Sequence, residues 1–171
     1  YLRAALASRK HAILADKGPL ALAHPALAEL AAFNGLALRY SATVGGGTPV
    51  LAFAEACRLG DRLVALKGVL NGTTNYILSR MAHEGLSFEA ALAAAQAAGY
   101  AEADQSADVD GWDTARKLVI LANAVMGRRA TLRDVTVHGI RDVRAAQVRQ
   151  ATAGGGEIKL IGAIGDALEV S

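Results

Sequence analysis

Apolar positions recur along the chain with two periods, and the breaks between them fall at glycine, proline and asparagine. Residues Leu2 to Ser8 read as the tail of a helix. HAILAD, residues 11–16, is an apolar run of strand length closed by Gly18 and Pro19. Lys17 therefore stands where a strand ends. A helix is expected from Leu20 to Phe33, stopped by Asn34 and Gly35; ALRYSATV, residues 37–44, then alternates as a strand does and breaks at Gly45, Gly46 and Gly47. Pro49 opens another helix, reaching Arg58. RLVALKGVL, residues 62–70, has the pattern of a buried strand ending at Asn71 and Gly72, with Thr73 or Thr74 placed to cap a helix through Met81.

Ser87 precedes an alanine-rich helix from Phe88 to Ala98, which stops at Gly99. YAEADQSADVDG, residues 100–111, follows as a long loop carrying Glu102, Asp104, Asp108 and Asp110 between two helical segments. Loops of this length in compact domains tend to carry function. A helix from Trp112 to Met126 comes next, then strand-like TLRDVTVHGI, a helix from Asp142 to Ala153, and strand-like IKLIGAI and ALEVS. With no repeat or linker, the order of elements implies an α+β fold built on one mixed sheet covered by helices.

Composition narrows the classes. With 53% hydrophobic residues in 171, the chain can bury a sizeable core, which excludes a disordered tail. Its 18 basic residues nearly balance 16 acidic ones, and none gather with aromatics into a nucleic-acid footprint. Cys57 is the single cysteine, so no internal disulfide is possible, and a small buried apolar role is expected for it in a reducing, cytoplasmic setting. Neither a membrane span nor a secretory signal is legible, so a soluble chain is expected, and the opening at Tyr1 inside a helical pattern reads as a fragment.

The helix from Trp112 to Met126 is apolar nearly all round, which predicts burial. Asp113 and Lys117 lie four apart and so share a face, which Ile120 and Ala124 continue. Spacing alone favours an exposed pair contributing about 0.3–0.5 kcal/mol. Against that stand the acidic loop directly upstream, the scarcity of polar surface on this helix, and the suitability of a partly buried lysine for proton transfer. Lys117 is therefore the proton-donor candidate, with Asp113 orienting it and Glu102, Asp104 and Asp108 available to an ammonium group. A solvated acidic loop would have the same composition. A calcium loop fails, because its twelfth position would be the cation Lys117.

TVGGGTPV, residues 43–50, lacks the G-x-G-x-x-G spacing of a dinucleotide fingerprint. It reads as a tight turn, or as a set of backbone carbonyls able to ligate a hard cation. His11, His24, His83 and His138 are isolated and read as structural, and no G-x-S-x-G element supports a hydrolase.

Four blocks together, ADKGPLA (15–21), YSATVGGGTPV (40–50), KGVLNGTTNYILSRM (67–81) and GYAEADQSADVDGWDTARKL (99–118), resemble homoserine dehydrogenase in order and separation. The resemblance implies a substrate-binding, catalytic and dimerising domain over residues 17–171, with residues 1–16 the edge of a Rossmann domain for NADP or NAD. It implies that Lys117 is the proton donor, that Glu102, Asp108 and Asp113 are substrate ligands, and that Lys17 lies beside the nicotinamide and the reacting carbon, with Gly72 and Thr73 on the cofactor side. The substrate pair would be homoserine and aspartate 4-semialdehyde, within threonine and methionine biosynthesis, and the assembly a homodimer, with no nucleic acid or membrane partner. It also implies a sodium site on the backbone carbonyls of Val44, Gly46 and Thr48. There Ser41 replaces the family's carboxylate, so weak or no sodium binding is expected. Without a nucleotide fingerprint the chain alone is expected to be inactive. Two rivals remain: a non-catalytic ligand-binding or dimerisation module of the same fold, and a dehydrogenase of another small amino or hydroxy acid.

Overall fold

Helices take up the long apolar stretches and strands only short ones. The computed structural model describes residues 1–171. In order the elements are α1 (Leu2–Ala7), β1 (Ala12–Ile13), α2 (Gly18–Phe33), β2 (Leu38–Arg39), α3 (Val50–Gly60), β3 (Leu66–Gly68), α4 (Gly72–Glu84) and α5 (Phe88–Ala97). There follow α6 (Ser106–Val109), α7 (Trp112–Val125), β4 (Val135–Val137), α8 (Ala145–Ala153), β5 (Gly162–Ile164) and β6 (Leu168–Val170). The architecture is α+β. The strands divide between two sheets, though, where the sequence had implied one: a parallel pair β1-β2 and a four-stranded sheet in the order β3-β5-β6-β4.

The chain forms two compact units. The first comprises Tyr1–Leu66, Arg116–Val135 and Ile164–Ala167. In it β1 and β2 pair in parallel, Ala12 opposite Leu38 and Ile13 opposite Arg39, with α2 as the connection a parallel pair requires. The buried residues of α2, Leu20, Ala21, His24, Leu27 and Ala31, recur at helical spacing on one face. The helix bends at Ala23, whose φ of −148° is not helical, two residues before Pro25 removes a backbone donor. At the bend, His24 is buried; its Nε2 lies 2.9 Å from the Tyr40 hydroxyl, with the rings edge to face. Most of α7 lies in this unit, and Leu118, Val119, Ile120, Leu121 and Ala122 are fully buried, as the all-round apolar pattern predicts.

The second unit comprises Lys67–Ala115, Thr136–Ala163 and Leu168–Ser171. Strands β5 and β6 form an antiparallel hairpin, shown by the reciprocal bonds between Ile161 and Ser171 (2.8 and 3.0 Å). Helix α4 packs against α5, α6 and α8. Its Ile77, Leu78 and Met81 are buried, along with Ala91 and Ala95 of α5.

Several expectations from the sequence need correction. Residues 62–70 are not a buried strand: β3 has three residues at the sheet edge, and Val64 and Val69 are 66% and 43% exposed. Apolar composition cannot separate a central strand from an edge, because only sheet order decides it. The predicted strand 37–44 is two residues long and then turns into a 3-10 helix at Ser41–Thr43. The helix expected from Asp142 begins at Ala145. The cap of α4 is Asn71, not a threonine: its extended backbone lets Oδ1 accept from the Thr74 amide at 2.8 Å. Cys57 is half-buried rather than buried.

Burial lowers the pKa of His24 from its ordinary 6.5. The unfolded chain therefore binds a proton here before the folded chain does, and stability fully present above pH 6.5 is lost as pH falls below it toward the folded state's lower value. The hydrogen-bonded carboxylates Asp134 and Glu157 lose their contributions only at lower pH, since their own values lie below 3.8 and 4.5. Melting temperature followed against pH should fall in a first step below pH 6.5. His24→Gln, which cannot charge, should remove that step; an unaltered profile would show that His24 is not its source.

Candidate functional site

A buried asparagine is the centre of the second unit's polar chemistry. Asn71 is 5% exposed and all three of its side-chain hydrogen-bonding groups are used. Its Oδ1 caps α4, while Nδ2 donates to Asp108 Oδ1 at 2.7 Å and to Asp113 Oδ2 at 2.9 Å. Two carboxylates, one from the short helix α6 and one from the first turn of α7, thus converge on one neutral carboxamide. Asp113 is 8% exposed and Asp108 half-buried. Carboxylates that share one donor nitrogen repel one another unless donor or cationic groups face them, and the Asn71 N–H groups are two such donors.

The loop that brings Asp108 here is fastened along its length. Thr73 Oγ1 donates to the Tyr100 carbonyl at 2.8 Å, and the Tyr76 and Tyr100 rings stack with centroids 4.5 Å apart. The Gln96 amide reaches the Glu102 carbonyl. Asp104 accepts from Ser106, whose side chain and backbone together hold its carboxyl below the usual range. At the far end the Val109 carbonyl accepts from the Ile140 amide at 2.7 Å, and Arg141 grips Asp110 with two bonds of 2.8 and 3.1 Å. Gly139 lies so close to this segment that an added Cβ would sit 2.6 Å from the Asp110 Cα.

Of the residues singled out from sequence, Asp108 and Asp113 are brought together. Glu102 lies on the segment that carries Asp108, with its side chain exposed, and exposed Gly72 and buried Thr73 open α4. Lys117 is half-buried on α7, four residues beyond Asp113 and so on the same side of that helix. Lys17 is the half-buried cap residue of α2 in the first unit.

The glycine turn lies in the first unit. Gly45 and Gly46 adopt positive φ of 86° and 57°, which the absence of a Cβ permits, and a side chain at Gly45 would meet the Thr48 carbonyl at 2.8 Å. The carbonyls of Gly45 and Thr48 accept from the amides of Thr48 and Val50. Val44 is buried and Ser41 exposed. The turn is thus closed by its own hydrogen bonds. Histidines are structural where contacts define them: His11 accepts from the Ala37 amide, and His24 pairs with Tyr40. No cluster of three His, Cys, Asp or Glu could hold a metal.

Sequence reasoning did not single out Asn71 as the residue on which the two acids meet. Its signal was asparagine at the end of an apolar run, followed by Gly-Thr-Thr, a strong cap position. Its carboxylate partners, 37 and 42 residues away, left no local trace.

The homoserine dehydrogenase family profile matches residues 49–171. A homoserine dehydrogenase of Methanocaldococcus jannaschii is 45% identical over 159 residues, 93% of this chain and 47% of that protein. An NAD(+)-dependent homoserine dehydrogenase of Pseudomonas canavaninivorans is 40% identical over 163 residues, 95% of this chain and 46% of the relative. A hyperthermophilic archaeal homoserine dehydrogenase solved in complex with NADPH superposes with a TM-score of 0.85 at 27% identity, over 99% of this chain and 50% of that one. The chain belongs to the homoserine dehydrogenase family, and it spans under half the length of these two curated relatives.

The closeness of Gly139 to Asp110 gives a direct test of how the acidic loop is held. Gly139→Ala must push the Val109–Asp110 backbone aside, at a cost of about 1–3 kcal/mol, the usual scale of overpacking. Thermal unfolding should show a drop of several degrees; a variant as stable as the parent would mean that the approach is relieved without strain.

Proposed function

We propose that this chain is the substrate-binding and catalytic part of an NAD(P)-dependent homoserine dehydrogenase, which interconverts L-homoserine and L-aspartate 4-semialdehyde in threonine and methionine biosynthesis in the cytoplasm. The observation that carries this reading is the convergence of half-buried Asp108 and buried Asp113 on Asn71, two carboxyl groups fitted to the ammonium of an amino-acid substrate. Family membership supplies the reaction type.

Residues 1–16 belong, on this reading, to the edge of a Rossmann domain and residues 17–171 to the catalytic, dimerising domain. The parallel pair β1-β2 fits the edge of such a sheet, and because β2 lies at Leu38–Arg39, within the compact stretch Tyr1–Leu66, it carries that edge beyond residue 16. Parallel sheets are ordinarily covered on both faces and contain more than two strands, whereas Ile13 of β1 is 86% exposed, so the pair is fitted to extend a larger sheet. The start of α4 fits a bound cofactor: Gly72 is exposed, without a side chain, on a first turn where Asn71 caps the Thr74 amide. Gly72, Thr73 and Lys17 are the residues assigned to that side.

The nicotinamide, NAD or NADP, supplies or accepts the hydride when bound. The chain's own groups do the rest. Asp113, Asp108 and Glu102 bind the substrate's ammonium and hydroxyl and fix its reacting carbon. Lys117 Nζ gives a proton to the alkoxide oxygen as homoserine forms and removes it in the reverse direction, and Lys17 polarises the carbonyl oxygen. In the enzyme containing this chain and its nucleotide-binding domain, Lys117→Ala should lower kcat by about a hundredfold or more, the scale of acid-base assistance. Steady-state kinetics returning a parent-like kcat would remove Lys117 from the role.

At the glycine turn we assign at most weak sodium binding to the carbonyls of Val44, Gly46 and Thr48. The Thr48 carbonyl already accepts from Val50, and Ser41 brings no charge to offset the ion's lost hydration. Melting temperature should not respond to sodium over potassium in the parent, whereas Ser41→Glu should create a sodium-dependent rise. A sodium response in the parent equal to that of the variant would refute this.

A further inference from the structure

Asn71 sits where a positioning device for the carboxylate pair would have to be. Its carboxamide is bonded to both acids, and it cannot rotate freely, because Oδ1 is committed to the Thr74 amide at the start of a thirteen-residue helix. Rotating the amide by half a turn would present an acceptor to two carboxylates and a donor to a backbone N–H, so the helix cap selects the orientation in which both N–H groups face the acids.

We propose that Asn71 is the positioning residue of the substrate site: it sets the spacing of Asp108 and Asp113 so that the pair receives one primary ammonium group. This rests on the functional reading above and adds to it a residue that need not touch substrate. Asp108 and Asp113 come from different elements, each held in its own way. Asp108 lies in a four-residue helix held by its neighbours, the Val109 carbonyl on Ile140 and the Asp110 carboxylate on Arg141. Asp113 begins the long buried helix. Arg116 follows Asp113 by three residues on α7. Arg141 is engaged by Asp110 on the α6 side, and Lys117 lies one turn along α7 on the other. The clamp itself is neutral, so it holds the two carboxylates without cancelling their charge.

The decisive variant is Asn71→Asp. It keeps an acceptor for the Thr74 amide, aspartate being as good a cap as asparagine, so α4 retains its start. It replaces both N–H donors by a third carboxylate. In the complete enzyme KM for homoserine should rise about ten- to a hundredfold, the equivalent of losing a hydrogen bond to a charged group, while kcat changes much less. Because a proton shared among three carboxylates restores one donor, the variant-to-parent ratio of kcat/KM should climb as pH is lowered from about 8 to about 6. A loss of structure alone would not produce that climb. Asn71→Ser, which keeps a cap oxygen and has no second donor, covers the case in which the aspartate variant fails to fold; it should raise KM similarly, and its crystal structure should show the Asp108 and Asp113 carboxylates further apart than in the parent. Parent-like KM in either folded variant, a pH-independent ratio for Asn71→Asp, or unmoved carboxylates in Asn71→Ser would overturn the proposal. Absence of homoserine turnover in the parent enzyme would strike the functional reading instead, and the carboxylate spacing in the Asn71→Ser crystal structure would still decide for or against the clamp.

Discussion

An amide has two donors and one acceptor group, and at Asn71 each is matched by a group of the opposite kind. Capping a helix and separating two acids are ordinarily tasks for different residues. Here the cap fixes the direction of the carbonyl, and the carbonyl fixes the direction of the amine. The local order of the second unit follows from this coupling: α4 starts where it does because Asn71 is extended, and α6 and the first turn of α7 present their acids to one point.

Burial supplies the other half of the arrangement. A helix as apolar as α7 is driven out of water along nearly its whole length, and the few polar residues it carries are taken with it. Asp113 is therefore buried not by its own preference but by the residues that follow it. A buried carboxylate needs compensation, which is why the donors of Asn71 and the fastening of the acidic loop through Thr73, Gln96, Arg141 and Gly139 matter. The loop's charge on its own would leave it solvated; its attachments at Tyr100, Glu102, Val109 and Asp110 hold it as part of the structure.

Much was legible in the residues. The positions and approximate ends of the longer helices, the burial of α7 and the glycine turn all followed from periodicity, punctuation and composition, and the motif blocks pointed to the family that the comparisons establish, whereas α6 falls inside the stretch read as a loop. Strands were less legible. Three-residue strands carry too few positions for alternation to register, and the apolar run at residues 62–70 turned out to be an edge with exposed valines.

The divide has a physical cause. Properties encoded by neighbours in sequence, such as helical faces, caps and the positive φ of Gly45 and Gly46, were determined by the chain itself, since they act within one turn of backbone. Which of several acids would meet, and on what, was decided only in the tertiary structure. Asn71 reaches partners 37 and 42 residues away, and Gly139 meets Asp110 across a gap no local rule spans. Hydrogen bonds and steric contacts depend on tenths of an ångström between elements, a quantity fixed only when those elements pack.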